Sequence, residues 1–263
     1  MSMTIHHIPV CPFCQRIEIL LELKGLRDAV AFQVVDITKP RDPRLTALGH
    51  GSTELPLLEF GDGRTALRES RVILDFVDRT FPDPPVRPAD PHTRALEDLI
   101  VALEGAYTGA GYSWVLNRDR DRTDDHRERM LKACRDISKR LEDYAPGDLW
   151  VLDDFGWTEA VFTPLMQRFW FNNYYEDFTI PDAPEYARFK RWHDACVAHP
   201  AAGQVTYDQI VTLYYDYAMG CGNGALPEGR RVSSFTFTPD WRDRPMPPRD
   251  KWTPVGDAEL GLV

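Results

Sequence analysis

Near its start the chain reads MTIHHIPVCPFCQRIEILLELKG, and the Cys-Pro-Phe-Cys within it restricts the fold more than any other stretch. Residues 3–9 make a short strand candidate. After Cys11, the residues Ile17, Leu20 and Leu21, with the aliphatic stem of Lys24, follow helical spacing, and Gly25 ends the run. A strand leading into a helix puts Cys11 at the helix N-terminus, where unpaired N–H groups and the helix dipole favour a thiolate. Pro12 suits the first helical position, since it has no N–H to leave unpaired and its φ is preset. Cys14 lies one turn deeper on the same side, within reach of the Cys11 sulfur.

A metal needs more than this pair: a closed zinc site wants about four ligands. No second CxxC and no HxxxH exists. His6 and His7 point to opposite faces of their strand, so at most one of them could assist the pair or Cys11. No metal is expected. A purely structural pair of small apolar side chains is the bland alternative. The redox reading gives each position a reason: Cys11 as a low-pKa nucleophile and Cys14 as the residue able to resolve a mixed disulfide.

The rest of the chain sets the frame. Its 263 residues, 43% of them hydrophobic, fit one large domain or two small ones. No apolar run approaches ~18 residues and no secretory signature opens the chain, so a cytoplasmic protein is expected, without a membrane partner. Five cysteines, scattered apart from the first pair, do not suggest a disulfide framework. A formal net charge of -10 argues against a nucleic-acid partner, which would need a concentrated basic face.

Beyond the first helix, VAFQVVDI (residues 30–37) reads as a buried strand, and a short helix candidate lies before Gly51. ELPLLEFGDGRTALRES reads as strand, turn, strand, with Ser70 as N-cap of a helix carrying Val72, Ile73, Phe76 and Val77 along one side. The order is β-α-β-α-β-β-α. FPDPPVRPADP, residues 81–91, holds five prolines in eleven positions and reads as a semi-rigid connector. Helical periodicity follows: Leu96, Leu99, Ile100 and Leu103; then Leu131, Cys134, Ile137 and Leu141. A third helix is expected from Thr158 to about residue 175. A fourth, behind a capping-box pattern of Asp182 and Glu185, bears Tyr186, Phe189, Trp192 and Cys196, and a fifth covers residues 204–219. The expected division is 1–80, linker 81–91, helical 92–220, and an irregular extension 221–263.

CPFC beside this βαβ pattern, followed in order by ELPLLEF and RES, resembles the glutathione transferase superfamily. It resembles most the cysteine-type members, the omega and dehydroascorbate-reductase classes, and their glutaredoxin relatives. The resemblance covers residues 3–220. It implies an α/β N-terminal thioredoxin-like domain plus an all-α C-terminal domain. It also implies that Pro12, Phe13, Leu55, Pro56, Glu69 and Ser70 bind the thiol cofactor. Pro56 would be cis, Leu55 would pair through its backbone with the cysteinyl part of the thiol peptide, and Glu69 and Ser70 would hold its γ-glutamyl end. The family's C-terminal domain usually caps a helix with an aspartate three residues after Ser or Thr; here Val161 stands at that place after Thr158.

The reaction so implied is a glutathione-dependent thiol transferase or reductase: thiol–disulfide exchange, deglutathionylation, or reduction of a small oxidised or electrophilic substrate. The implied assembly is a homodimer. Among the aromatic residues of the helical part, Tyr107, Tyr112, Trp114, Phe171 and Tyr175 are candidates for a substrate pocket, against the plainer reading that such clusters pack a core. The alternative is that those facing the cleft form an aromatic cage for a betaine thiol such as ergothioneine, and hence a reductase or peroxidase using another small thiol. A non-catalytic binding or scaffold protein of the same architecture is the reading of a different class. Arg118 and Arg120 read as a solvated face. The Pro-rich tail reads as a strap anchored by aromatics, or else as a cover for the active site or a dimer contact.

Overall fold

The computed structural model describes residues 2–222 and 224–263. Its first part is a four-stranded sheet with helices, in the order β1 (Met3–His7), α1 (Pro12–Leu23), β2 (Ala31–Val34), α2 (Pro43–Leu48), β3 (Leu57–Phe60), β4 (Ala66–Leu67) and α3 (Ser70–Thr80). The sheet order is β2-β1-β3-β4, with β2 parallel to β1 and the other neighbours antiparallel. Ile5 and Leu58, directly paired, are fully buried, as are Ile17, Leu20 and Leu21 of α1 and Ile73, Leu74 and Val77 of α3. This is the expected β-α-β-α-β-β-α.

Two details depart from expectation. β2 is an edge strand, not a buried one, and Val34 is 50% exposed, because β2 has a strand neighbour on one side only among the described residues. On α3 the inward face is Ile73, Leu74 and Val77, while Val72 is half exposed. The helix begins at Ser70, and Glu69 is its N-cap residue, at φ 65°.

The second part is all helix: α4 (Pro91–Val101), α5 (Glu104–Val115), α6 (Thr123–Tyr144), α7 (Trp157–Arg168), α8 (Trp170–Glu176), α9 (Ala187–Ala198), α10 (Tyr207–Leu213) and α11 (Tyr215–Ala218). On α4 the burial phase is shifted: Leu99 is exposed and Glu97 buried, because the carboxylate pairs with Arg87 from the Pro-rich segment. All twelve residues of α7 are buried, and it packs along α1, joining the two parts.

The start of α7 is fixed not by Thr158 but by Glu159. Its carboxylate accepts from the N–H groups of Gly156 (3.0 Å) and Val151 (2.8 Å) and from Trp192 Nε1 (2.9 Å). Gly156 is the N-cap, and the Thr158 hydroxyl is buried without a partner among the described residues. The expected single helix to residue 175 breaks at Phe169 into α7 and α8, and the expected fifth helix starts at Tyr207 and breaks at Tyr214. Asp182 caps nothing; a single 3-10 turn, Pro184–Tyr186, leads directly into α9.

After α11 the described residues hold one short 3-10 turn, Trp241–Asp243, and otherwise lie irregularly over the helices. Charge as well as aromatics holds it. Buried Arg230 pairs with Asp216 (3.2 Å) and Asp257 (2.5 Å), Lys251 pairs with Glu176, and the Tyr174 hydroxyl donates to the Pro247 carbonyl at 2.5 Å. Arg118 and Arg120 are exposed, as a solvated face would be; Arg118 donates to the Met219 carbonyl at the end of α11, and Arg120 reaches Asp250 of the tail.

Candidate active site

Cys11 is the N-cap residue of α1, with Pro12 at the first helical position. Both Cys11 and Cys14 are free thiols; Cys14 is fully buried and Cys11 faces a cleft. The hydrogen bond from the Cys14 thiol is the main influence lowering the Cys11 thiol, to about 7. The backbone N–H groups of Cys14 and Phe13 and the positive charge of Arg168 act in the same direction, and burial opposes them. Burial and the neighbouring Cys11 push the Cys14 thiol the other way, well above its ordinary value. The pair is therefore asymmetric, one sulfur ready to ionise and the other held as its donor.

Two adjoining cavities flank Cys11. The larger, about 700 Å³, runs over Phe13, Leu55, Pro56, Glu69, Ser70 and Arg71 to the first residues of α5 and α7, Glu104 and Trp157. The Leu55–Pro56 peptide is cis. Arg16, buried on α1, sits beneath this cavity: its guanidinium donates to Ser70 Oγ (3.1 Å), Glu104 Oε1 (2.7 Å) and the Val161 carbonyl (2.9 Å). It thus ties α3, α5 and α7 together behind Glu69 and Ser70. An acidic Glu69 beside Ser70 and the N-terminus of α3 offers complementary contacts to a group bearing both an ammonium and a carboxylate.

The second cavity, about 560 Å³, contains Cys11 itself. It shares Phe13, Glu54 and Leu55 with the first. Lys39 and Arg41 line one end, and Nε and Nη1 of Arg41 are buried with no partner among the described residues, a donor pair suited to an anion. Tyr112, Tyr214, Tyr217 and Phe235 line the other end. Phe235 comes from the tail and stacks on Tyr214 (centroids 5.4 Å apart, planes 18° apart), so the tail both straps the helices and closes one wall of this cavity.

Among the aromatic candidates, Tyr112 alone lies on the Cys11 cavity. Trp114, Phe171 and Tyr107 are core, no more than 1% exposed, and Tyr175 packs on Phe171 and Tyr215. Their helix faces point inward because α5 and α8 pack on each other and on α7. His6 and His7 are also away from Cys11: His6 hydrogen-bonds to Glu59 at 2.7 Å and His7 lies 3.4 Å from Glu18. Sequence reasoning missed Arg16, Lys39, Arg41, Tyr214, Tyr217, Phe235 and Arg168. Tyr214 and Tyr217 did carry a signal, an i, i+3 aromatic pair just before the Gly-rich stretch 220–224. Arg168 carried none.

No group of three or more His, Cys, Asp or Glu able to hold a metal occurs among the described residues, and no helix is long and apolar enough to cross a membrane.

Residues 10–80 match the family model described as glutathione S-transferase, N-terminal domain. The chain is 26% identical over 83% of its length to a probable glutathione transferase omega-2 of Caenorhabditis briggsae, covering 87% of that protein. Among solved structures it resembles glutathione transferase Omega 3C of Trametes versicolor, with a TM-score of 0.66 at 19% identity over 82% of this chain and 91% of that one. It also resembles the trimeric glutathione transferase TDR1 of Leishmania, with a TM-score of 0.70 at 18% identity over 87% of this chain and 50% of that one. The mixed sheet followed by an all-helical part is the fold of these structures. The N-terminal part of the chain thus matches the N-terminal domain of glutathione S-transferases, and the chain as a whole is similar to omega-class glutathione transferases.

Proposed function

We propose that the chain is a glutathione-dependent thiol transferase or reductase in which Cys11 is the nucleophile. The observation that carries this is the asymmetry at CPFC: a cleft-facing thiol lowered to about 7 beside a buried thiol that donates to it. A serine or tyrosine there would hold glutathione as its own thiolate; a cysteine attacks sulfur instead.

In the proposed cycle the γ-glutamyl end of glutathione lies against Glu69 and Ser70, and its cysteinyl backbone pairs with Leu55. Its far carboxylate reaches Lys39 and Arg41, and its sulfur comes to Cys11. The Cys11 thiolate attacks the glutathione sulfur of a mixed disulfide, forming a Cys11–glutathione disulfide and expelling the substrate as a thiolate. A second glutathione thiolate then attacks that disulfide, releasing oxidised glutathione and restoring Cys11. Cys14 serves mainly as hydrogen-bond donor to the anion, because a buried thiol raised above its ordinary value is a slow attacker.

The test is steady-state reduction of a glutathionylated small thiol. Cys11→Ser is expected to lose activity by roughly 100-fold or more, since a serine hydroxyl stays protonated at neutral pH. Cys14→Ser is expected to keep turnover with glutathione. Undiminished activity in Cys11→Ser would remove the proposal. The aromatic wall of Tyr112, Tyr214, Tyr217 and Phe235 favours one second reading, a betaine thiol in place of glutathione. Turnover with ergothioneine and none with glutathione would select it.

A further inference from the structure

Arg168, the last residue of α7, is completely buried. Its Nε donates to the Val10 carbonyl at 2.6 Å, its Nη2 to Gln15 Oε1 at 2.7 Å, and its Nη1 to the Pro164 carbonyl at 3.3 Å. All three acceptors are neutral. The other buried cations differ. Arg16 pairs with Glu104, Lys24 with Asp78, Arg230 with Asp216 and Asp257, and Lys251 with Glu176. Arg188 and Arg244 are held by carbonyls too, but each keeps 7% of its surface in contact with solvent and feels a carboxylate, Asp148 or Glu159 and Asp240 respectively. Among the described residues no carboxylate lies within ion-pair distance of Arg168.

A guanidinium enclosed without a counter-charge is costly, and an anion forming beside it would offset that cost. Gln15 strengthens the point, because a glutamate of the same shape would have supplied the missing charge. Instead Gln15 Nε2 donates to Gln167 Oε1 (2.7 Å) and Gln204 Oε1 (3.0 Å), so neutral amides wall the guanidinium in.

What lies beside Arg168 is the residue before the reactive cysteine. Val10 has φ 62°, a left-handed conformation that β-branched residues rarely adopt. Its carbonyl accepts from two donors, Arg168 Nε and the Tyr214 hydroxyl (3.0 Å), and that clamp fixes the peptide entering Cys11.

We infer that Arg168 is the built-in counter-ion of the Cys11 thiolate: it remains unpaired in the neutral enzyme so that its charge is available when Cys11 ionises. This rests on Cys11 being the nucleophile. Arg168 is a positioning residue that acts through Val10 and through its field. The other titratable groups around Cys11 are Cys14 and Arg16 on α1, the latter already paired with Glu104, Tyr112 on α5, Tyr214 and Tyr217 at the end of the helical part, and Lys39, Arg41 and Glu54 from the loops flanking α2. Arg41, the other cation there without a carboxylate partner, is half-buried at the rim of an open cleft.

The test is the pH dependence of Cys11 alkylation by iodoacetamide, followed by mass of the full chain, in wild type, Arg168→Met, Arg168→Lys and Tyr214→Phe. Wild type is expected to titrate near 7, and an ordinary thiol value there would defeat the nucleophile reading itself. With wild type low, Arg168→Met is expected to shift the midpoint up by about 0.3 pH unit or more, roughly a twofold loss of thiolate at low pH. Arg168→Lys should restore most of it, and Tyr214→Phe, which loses a clamp but no charge, should shift it least. A folded Arg168→Met with the wild-type midpoint would overturn the inference and leave Cys11 as nucleophile. Should Arg168→Met not fold, Gln15→Glu gives Arg168 a resident carboxylate and must raise the midpoint; an unmoved midpoint there overturns it equally.

Discussion

At the scale of single residues the account turns on two sulfurs three positions apart. With Cys11 lowered to about 7, its reactivity should plateau above neutral pH and fall to about a tenth by pH 6, while Cys14 stays unmodified throughout. Stability follows in a definite direction. A thiol lowered from 9.0 to about 7 on folding contributes stability that is fully present above pH 9 and lost as pH falls through 7. Urea midpoints of wild type and Cys11→Ser should therefore separate in favour of wild type between pH 6.5 and 9, and parallel midpoints across that range would contradict the lowered value. CPFC, the Leu-Pro that precedes β3 and Glu69-Ser70 were legible from sequence because each is a local arrangement, set by neighbours along the chain. Arg168 and Tyr214 were not: they meet Val10 from 158 and 204 residues away, and no spacing rule reaches that far.

At the scale of elements, the sites rest on how α1, α5 and α7 meet. Gly111 of α5 makes one such contact possible, since a Cβ there would fall 2.0 Å from Cζ of Phe169, at the α7–α8 break. Gly111→Ala would gain about 1 kcal/mol in helix propensity but overpack that contact at about 1–3 kcal/mol, so the variant should be less stable than wild type by thermal unfolding. A neutral or raised melting temperature would mean that Phe169 yields freely. Element type was legible wherever the period was sustained, as on α6. Boundaries were less so: Glu159 organises the start of α7 through Val151 and Trp192, and nothing local marks it over Thr158. The burial of β2 was misjudged because an apolar run looks the same at a sheet's edge as at its centre.

At the scale of the whole molecule, the irregular tail completes a cavity begun by the N-terminal sheet domain. Its hold depends on Arg230 between Asp216 and Asp257, with Ser233 and Ser234 also bonded to Asp216. Arg230→Met leaves two buried carboxylates facing an apolar group, and the cost should free the segment. Limited proteolysis is expected to cut between residues 224 and 245 in that variant much faster than in wild type; equal rates would show the latch to be dispensable. A freed Phe235 should also weaken binding of aromatic substrates more than of small aliphatic ones, read as a change in KM.

The most direct measurement is the intact mass of the protein after brief exposure to oxidised glutathione, for wild type, Cys11→Ser and Cys14→Ser side by side. One glutathione adduct in wild type and in Cys14→Ser, with none in Cys11→Ser, is the result the account predicts. An adduct that survives in Cys11→Ser, or none in any of the three, would contradict it.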